Sequence, residues 1–447
     1  MIAVLKRSFV EGEVEVSGAK NAFFPAVACG IALGAKKIKI RNVPKIKDVF
    51  VMLEILRELG CSFEFRDEGK ELIIFSERIQ PRDFSPELFG KIRGSVVIFG
   101  SLLSRFGFAK IPMPGGCKIG ERPIDQHIKS ARAFGFYVEE SGGFFVAKGK
   151  TSRNVSFTFD IKTVTGTENA ILMAIRSKAE INNIAIEPEV QELISYLKRY
   201  GVNIRREGDR VLIDGKEDLV CDEVEFELIP DRIEASTWLV LTASVGGRLK
   251  VKNVIFEHIE YVLKVLSNCG AKISLAQNSV EIESSDVYEP ADIVADSFPA
   301  FPTDVQPQIC VMLLKSKGIS RVVDKIFPNR LSHIDELVKM GAKIELKGGE
   351  IIIYPSKIFG SSIRALDLRG AAALSIAGLM AESNSTYLSG FEFIQRGYEN
   401  FVEKLRSIGG SIEVFEDDKI SHFSKESEKM KIEQESKEIF NYVSYTS

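Results

Sequence analysis

Six glycines at intervals of about 70 residues, Gly60, Gly135, Gly201, Gly270, Gly341 and Gly409, each close a run of helix-spaced apolar residues. Such a period describes copies of one supersecondary unit that bury their apolar faces against one another. In the third copy Val190, Leu193, Ile194, Leu197 and Tyr200 share one helical face. Gly201 ends that helix, because glycine takes the left-handed cap conformation without a Cβ clash. Val202 and Ile204 then alternate with polar residues, a turn falls at Glu207-Gly208-Asp209, and Val211-Leu212-Ile213 returns as a second strand. Tyr398, Phe401, Val402, Leu405 and Ile408 repeat the helix before Gly409. Each copy is expected to run from its glycine into a short strand pair.

A second segment interleaves with the first, starting polar and turning almost wholly apolar. Its instances are Gly18-Ala19-Lys20-Asn21-Ala22, Ile92-Arg93-Gly94-Ser95, Gly166-Thr167-Glu168-Asn169-Ala170, Asp231-Arg232-Ile233-Glu234-Ala235, Pro302-Thr303-Asp304-Val305-Gln306 and Asp367-Leu368-Arg369-Gly370-Ala371. A helix apolar all round is a buried helix, and these runs are too short to cross a membrane. Helix N-termini attract anions, whether as caps of their own helix or as ligands. Lys20, Arg93, Arg232 and Arg369 have the wrong sign for caps, so the pattern predicts that something anionic binds among them.

At 447 residues the chain exceeds what one hydrophobic core organises, and three repeats in each of two domains is the natural division. A net charge of −3 gives no nucleic-acid-binding surface. The six cysteines lack paired or metal-ligand spacing, the four histidines form no His-x-x-x-His pair, and Met1 to Arg7 has no signal-peptide organisation. A cytoplasmic enzyme without metal or cofactor is expected.

Two segments stand apart. Residues 418–447 read as a charged, serine-rich tail, either frayed or a partner-binding helix using Ile439, Phe440, Tyr442 and Val443. Pro114-Gly115-Gly116-Cys117-Lys118-Ile119-Gly120-Glu121-Arg122-Pro123 reads as a loop. Its cysteine is either a small hydrophobe or a reactive thiol whose thiolate Lys118 and Arg122 favour.

With that loop, and with Ser17 to Ala22, Arg122-Pro123-Ile124-Asp125-Gln126-His127, Thr163-Val164-Thr165-Gly166-Thr167-Glu168-Asn169, Pro230 to Glu234, Phe301 to Gln306, Asn329-Arg330, Asp367 to Arg369 and Arg396-Gly397-Tyr398-Glu399, the chain resembles the UDP-N-acetylglucosamine 1-carboxyvinyltransferase family of enolpyruvyl transferases over residues 11 to 415. The resemblance implies an α/β fold of two inside-out barrel domains, each of three helix-strand units, with an interdomain active-site cleft. One domain would hold residues 19–228, the other 1–18 and 229–417.

The implied substrates are phosphoenolpyruvate and UDP-N-acetylglucosamine, in peptidoglycan precursor synthesis, with no nucleic-acid or membrane partner. The resemblance makes Cys117 an acid toward carbon 3 of phosphoenolpyruvate, with product release as its other role, and Asp304 the base on the sugar hydroxyl, a task compatible with capping its helix. Lys20, Asn21, Arg93, Arg122 and Arg396 would surround phosphoenolpyruvate, Lys20 and Arg396 with catalytic effect. Asn21, Arg93, Arg122, Pro123, Ile124, Asp125, Gln126, Lys162, Val164, Thr165, Gly166, Asp304 and Ile326 would face the nucleotide sugar. Arg330, Asp367 and Arg369 would stand behind them. Gln126 replaces a common aliphatic residue, and Phe393-Ile394-Gln395 replaces His-Ile-Asp. These departures admit a paralogue acting on another uridine nucleotide, or an idle nucleotide-sugar-binding regulator.

Overall fold

The computed structural model describes residues 1–113 and 124–416. In these residues six β-sheets enclose two sets of three buried helices. Lys20–Ala32, Ile98–Phe106 and Val164–Ala174 pack on one another, as do Arg232–Val245, Gln306–Leu313 and Leu368–Met380. Every residue of Ala22–Ala32 and of Ile233–Val245 is buried, as uniform apolarity requires. Helices inside and sheets outside give the inside-out α/β architecture.

The third unit displays the common plan. Strand Asn154–Thr158 runs parallel to Lys178–Asn182, which pairs antiparallel with Arg210–Asp214, and that strand pairs with Asn203–Glu207. The amphipathic helix Pro188–Arg199 turns Val190, Leu193 and Leu197 inward against Lys20–Ala32. All six terminal glycines have φ between +86° and +109°, the left-handed region that a Cβ disfavours.

The sixth copy departs from the expected strand pair. Among the described residues only Ser411–Phe415 comes after Gly409, and its partner is the N-terminal strand Ile2–Lys6, which also pairs with Thr386–Ser389. A local reading of the residues around Gly409 cannot supply a strand from the far end of the chain.

Two hydrophobic cores result. One is built from residues between Ala19 and Leu228, the other from Ala3 to Val16 together with Ile233 to Ile412. The chain crosses between these halves twice, and the crossings lie side by side. Ala19 N–H donates to Ile229 O at 2.7 Å, and Asp231 N–H donates to Ser17 O at 2.9 Å. Gly18 is required here because a Cβ would stand 1.8 Å from Asn42 O.

Asn42 and Asn253 hold the crossings from opposite sides. Both are left-handed, with φ of 56° and 59°. Their side-chain amides donate to Leu228 O at 3.0 Å and to Val16 O at 2.8 Å. Asparagine suits the place because it tolerates this backbone region and carries a short donor. No helix among the described residues is long and apolar enough to cross a membrane.

Candidate active site

The N-terminal ends of the buried helices meet between the two halves. Lys20 begins the first, and its N–H donates across the crossing to Asp231 Oδ2 at 3.2 Å. Asp231 Oδ1 caps the Arg232–Val245 helix by accepting from Ile233 and Glu234 N–H at 2.8 and 3.0 Å. Asp367 caps Leu368–Met380 in the same way and also accepts from Ser332 Oγ at 2.6 Å. Thr163 Oγ1 accepts from Gly166 N–H at 3.3 Å at the start of Val164–Ala174.

Cations of the wrong sign for caps are answered by the protein's own carboxylates. Lys20 Nζ lies 2.7 Å from Asp48 Oδ2, and Arg232 Nε donates to Glu189 Oε1 at 3.0 Å. Arg369 donates to Asp304 Oδ2 at 2.9 Å and to Tyr398 Oη at 3.1 Å. Arg93 opens the turn Arg93–Val97. Burial, aided by the charge of Arg93, pushes the His127 imidazole down to about 3, so it stays neutral. Its Nε2 pairs with Thr165 Oγ1 at 3.0 Å.

Asp304 lies in the turn Thr303–Val305, just ahead of Gln306–Leu313. Arg330 donates to its Oδ1 at 2.8 Å while Arg369 holds Oδ2. Burial works to raise the Asp304 carboxyl, but the two guanidiniums outweigh it and hold the group far below the ordinary carboxylate range. The side chain keeps 24% exposure, so one edge stays open. Arg330 also donates to Thr303 O at 2.7 Å, which fixes the turn that presents Asp304.

Arg396 comes from the second half and reaches into the first. Its Nε donates to Asp48 Oδ1 at 2.8 Å, and a terminal nitrogen donates to Lys91 O at 2.9 Å. Asp48 sits in the first turn of Lys47–Glu58, with its side chain only 3% exposed, and bridges Lys20 to Arg396. Beside Arg396, Phe393 packs on the second core and so offers no polar contact.

The residues around Thr163 form a second cluster, in the first half. Val164, Thr165 and Gly166 make the first turn of their helix. Asn21 lies in the first turn of Lys20–Ala32, and Ile124 and Asp125 lie at the start of Asp125–Ala133. Gln126 is buried and its amide is fully engaged. It donates to Asp125 and Asp160 carboxylates at 2.7 and 2.9 Å and accepts from Asp160 N–H at 3.1 Å. Lys162 pairs loosely with Asp209 at 3.3 Å. Ile326, in the second half, is held by its N–H to Asp324 Oδ1 at 2.9 Å. Cys117, Arg122 and Pro123 lie outside the described residues.

Buried acid groups back this cluster. Glu168 is raised well above the ordinary carboxylate range by burial and then by Glu189 and Glu187. Arg232 offsets the charge of the other two, and Phe298 N–H donates to Glu187 Oε1 at 3.3 Å across the halves. Taken together, the cleft offers fixed cations for an oxyanion or phosphate, one ionised carboxylate at its edge, and helix N-termini that favour negative charge.

The EPSP synthase (3-phosphoshikimate 1-carboxyvinyltransferase) family profile matches residues 4–405. The chain is 38% identical over 413 residues to the UDP-N-acetylglucosamine 1-carboxyvinyltransferase of Thermotoga maritima, covering 91% of this chain and 97% of that protein. It is 36% identical over 406 residues to the enzyme of the same name from Deinococcus deserti, covering 90% and 94%. The chain belongs to the UDP-N-acetylglucosamine 1-carboxyvinyltransferase family.

Solved structures share the enolpyruvyl transferase fold. The enolpyruvyl transferase NikO from Streptomyces tendae superposes with a TM-score of 0.83 at 20% identity, covering 92% of this chain and 98% of that one. EPSP synthase from Acinetobacter baumannii gives 0.72 at 17% identity, covering 93% and 100%.

Within this enolpyruvyl transferase cleft, several neighbours escape a reading of the sequence alone. Asp48 reads as an ordinary acidic residue in the first turn of an amphipathic helix. Glu187 and Glu189 flank a helix-starting proline and read as first-turn acids. His127, Glu168 and Tyr398 do fall inside the family motifs, and this membership is the signal that could have drawn attention to them.

Proposed function

We propose that this protein transfers the enolpyruvyl group of phosphoenolpyruvate to the 3-hydroxyl of UDP-N-acetylglucosamine and releases phosphate. The observation that carries this reading is the meeting of Lys20, Arg369 and Arg396, from both halves, around the carboxylates of Asp48 and Asp304. Carbon 3 of phosphoenolpyruvate gains a proton as the sugar oxygen bonds to carbon 2, giving a tetrahedral intermediate. Loss of a proton from carbon 3 then expels phosphate and restores the double bond.

Asp304 takes the hydroxyl proton. Its two guanidinium partners make it a weak base at rest, so drawing Arg330 or Arg369 toward a bound anion strengthens it when the substrates are in place. Lys20, Arg93, Arg122 and Arg396 hold the phosphate and carboxylate, and charge growing in the intermediate gains most from such fixed cations. Cys117 serves carbon 3 as an acid or assists product release. Asn21, Arg93, the Arg122 to Gln126 segment, Lys162, Val164, Thr165, Gly166, Asp304 and Ile326 hold the nucleotide sugar. Gln126 does so indirectly, because its amide is spent on orienting Asp125 and Asp160.

Residues 19–228 move as one domain against 1–18 with 229–417, pivoting on the paired crossings at Gly18 and Pro230. The work belongs to the cytoplasm, where peptidoglycan precursors are made for wall growth, cell shape and division, and residues 418–447, which lie outside the described residues, are the segment for a protein partner. A panel of uridine nucleotides assayed for phosphate release tests the acceptor. UDP-N-acetylglucosamine is expected to exceed UDP-glucose by about 100-fold or more in kcat/KM, as befits a site built to pair a polar group. Higher activity with another uridine nucleotide would reassign the acceptor.

A further inference from the structure

Asp48 touches two of the four cations that the proposed reaction places on the phosphate and carboxylate of phosphoenolpyruvate, yet it is buried where no substrate atom needs to reach it. Its carboxylate meets Lys20 Nζ at 2.7 Å with one oxygen and Arg396 Nε at 2.8 Å with the other. The side chain of Lys20 is 14% exposed and that of Arg396 is 31% exposed, so both keep an open side while Asp48 holds them from behind. Lys20 belongs to the first half and Arg396 to the second, so one carboxylate fixes the relative place of two groups on opposite walls.

We propose that Asp48 is a positioning residue: it clamps Lys20 and Arg396 into a single phosphate-accepting pair and keeps Lys20 charged. The proposal rests on the enolpyruvyl-transfer reading for the identity of the phosphate, but its effect on Lys20 is independent of turnover.

Among the described residues four charged groups face Lys20: Asp48 from Lys47–Glu58, Arg369 from Leu368–Met380, Arg396 from the turn Phe391–Arg396, and Asp231, which accepts its backbone N–H. Burial, and then the two arginines, favour the neutral amine, while Asp48 opposes them. Removing the carboxylate leaves burial and like charge acting alone. A neutral amine neither attracts phosphate nor donates three hydrogen bonds to it.

The test is Asp48→Asn, with Asp48→Glu as the conservative control, read in two ways. In ligand-free protein carrying ¹³Cε-lysine, the Lys20 signal is assigned by its loss in Lys20→Met and then titrated. Its midpoint is expected to fall by about one pH unit or more in Asp48→Asn, and to return toward the parent value in Asp48→Glu. In turnover, kcat/KM for phosphoenolpyruvate is expected to fall about 10-fold or more at pH 9 and less at pH 6.5, chiefly through KM, as the basic limb moves down.

An unmoved Lys20 midpoint overturns the proposal whether or not the protein turns over. A parallel pH profile with kcat/KM within about twofold overturns it too. Parent protein that releases no phosphate, while the Lys20 midpoint still falls in Asp48→Asn, refutes the enolpyruvyl-transfer reading and leaves the clamp standing.

Discussion

Asp304→Asn is expected to lower kcat for phosphate release by about 100- to 10,000-fold, the range over which a positioned base contributes. The amide keeps the shape of the side chain but cannot take the hydroxyl proton, and it offers weaker acceptance to Arg330 and Arg369. Asn is preferable to Ala because an empty site would strand both guanidiniums, whose side chains are only 4% and 7% exposed. Affinity for UDP-N-acetylglucosamine, measured by calorimetry, is expected to stay within about threefold. Full activity would remove Asp304 from the base role.

The same geometry sets a pH dependence. The folded-state Asp304 carboxyl lies below its unfolded value, so its ion pairs stabilise the protein fully above about pH 4 and weaken only as the pH falls below that. An acid limb of kcat/KM above pH 5 therefore belongs to another group. Asp304→Asn is expected to lower the whole profile without displacing that limb. A displaced limb would show that Asp304 itself titrates there.

Trp238→Ala is expected to have the largest effect on stability, about 3 to 5 kcal/mol. Trp238 is fully buried in the Arg232–Val245 helix and stacks on Phe401 at 5.2 Å with 20° between the rings. Its indole N–H donates to Glu234 Oε1 at 3.2 Å, and Glu234 in turn accepts from Ser17 N–H at 2.9 Å and from Lys404 Nζ at 2.6 Å. The substitution thus empties a large core volume and loosens the carboxylate that holds the first crossing. With the second half melting as its own unit, a fall of about 10 °C in its midpoint is expected by calorimetry. Trp238→Phe, which keeps the ring contact and loses the N–H, should fall by less than half as much. A midpoint for Trp238→Ala within about 2 °C of the parent would contradict this packing.

The repeats were legible because their signals are local. A helical face, a left-handed glycine and an alternating strand lie within about 25 residues, and Gly60 through Gly409 show the expected positive φ. The sheet of the sixth unit was not legible, since Ile2–Lys6 comes from the opposite end of the chain. At the site, the anomalous sign of Lys20, Arg232 and Arg369 was visible in the sequence, but the groups answering them were not. Asp48, Glu189 and Asp304 reach those cations from separate elements. The likeness of Asp48 to any first-turn acid hid its bridge to Arg396, 348 residues away.

Phosphate release from phosphoenolpyruvate tests the proposed reaction most directly. The purified protein is assayed with UDP-N-acetylglucosamine, with and without prior exposure to fosfomycin, the epoxide expected to alkylate Cys117. Release is predicted to depend on the sugar nucleotide and to be blocked by fosfomycin. Release untouched by fosfomycin would contradict a reactive Cys117 while keeping the reaction, and folded protein that releases no phosphate would contradict the reaction itself.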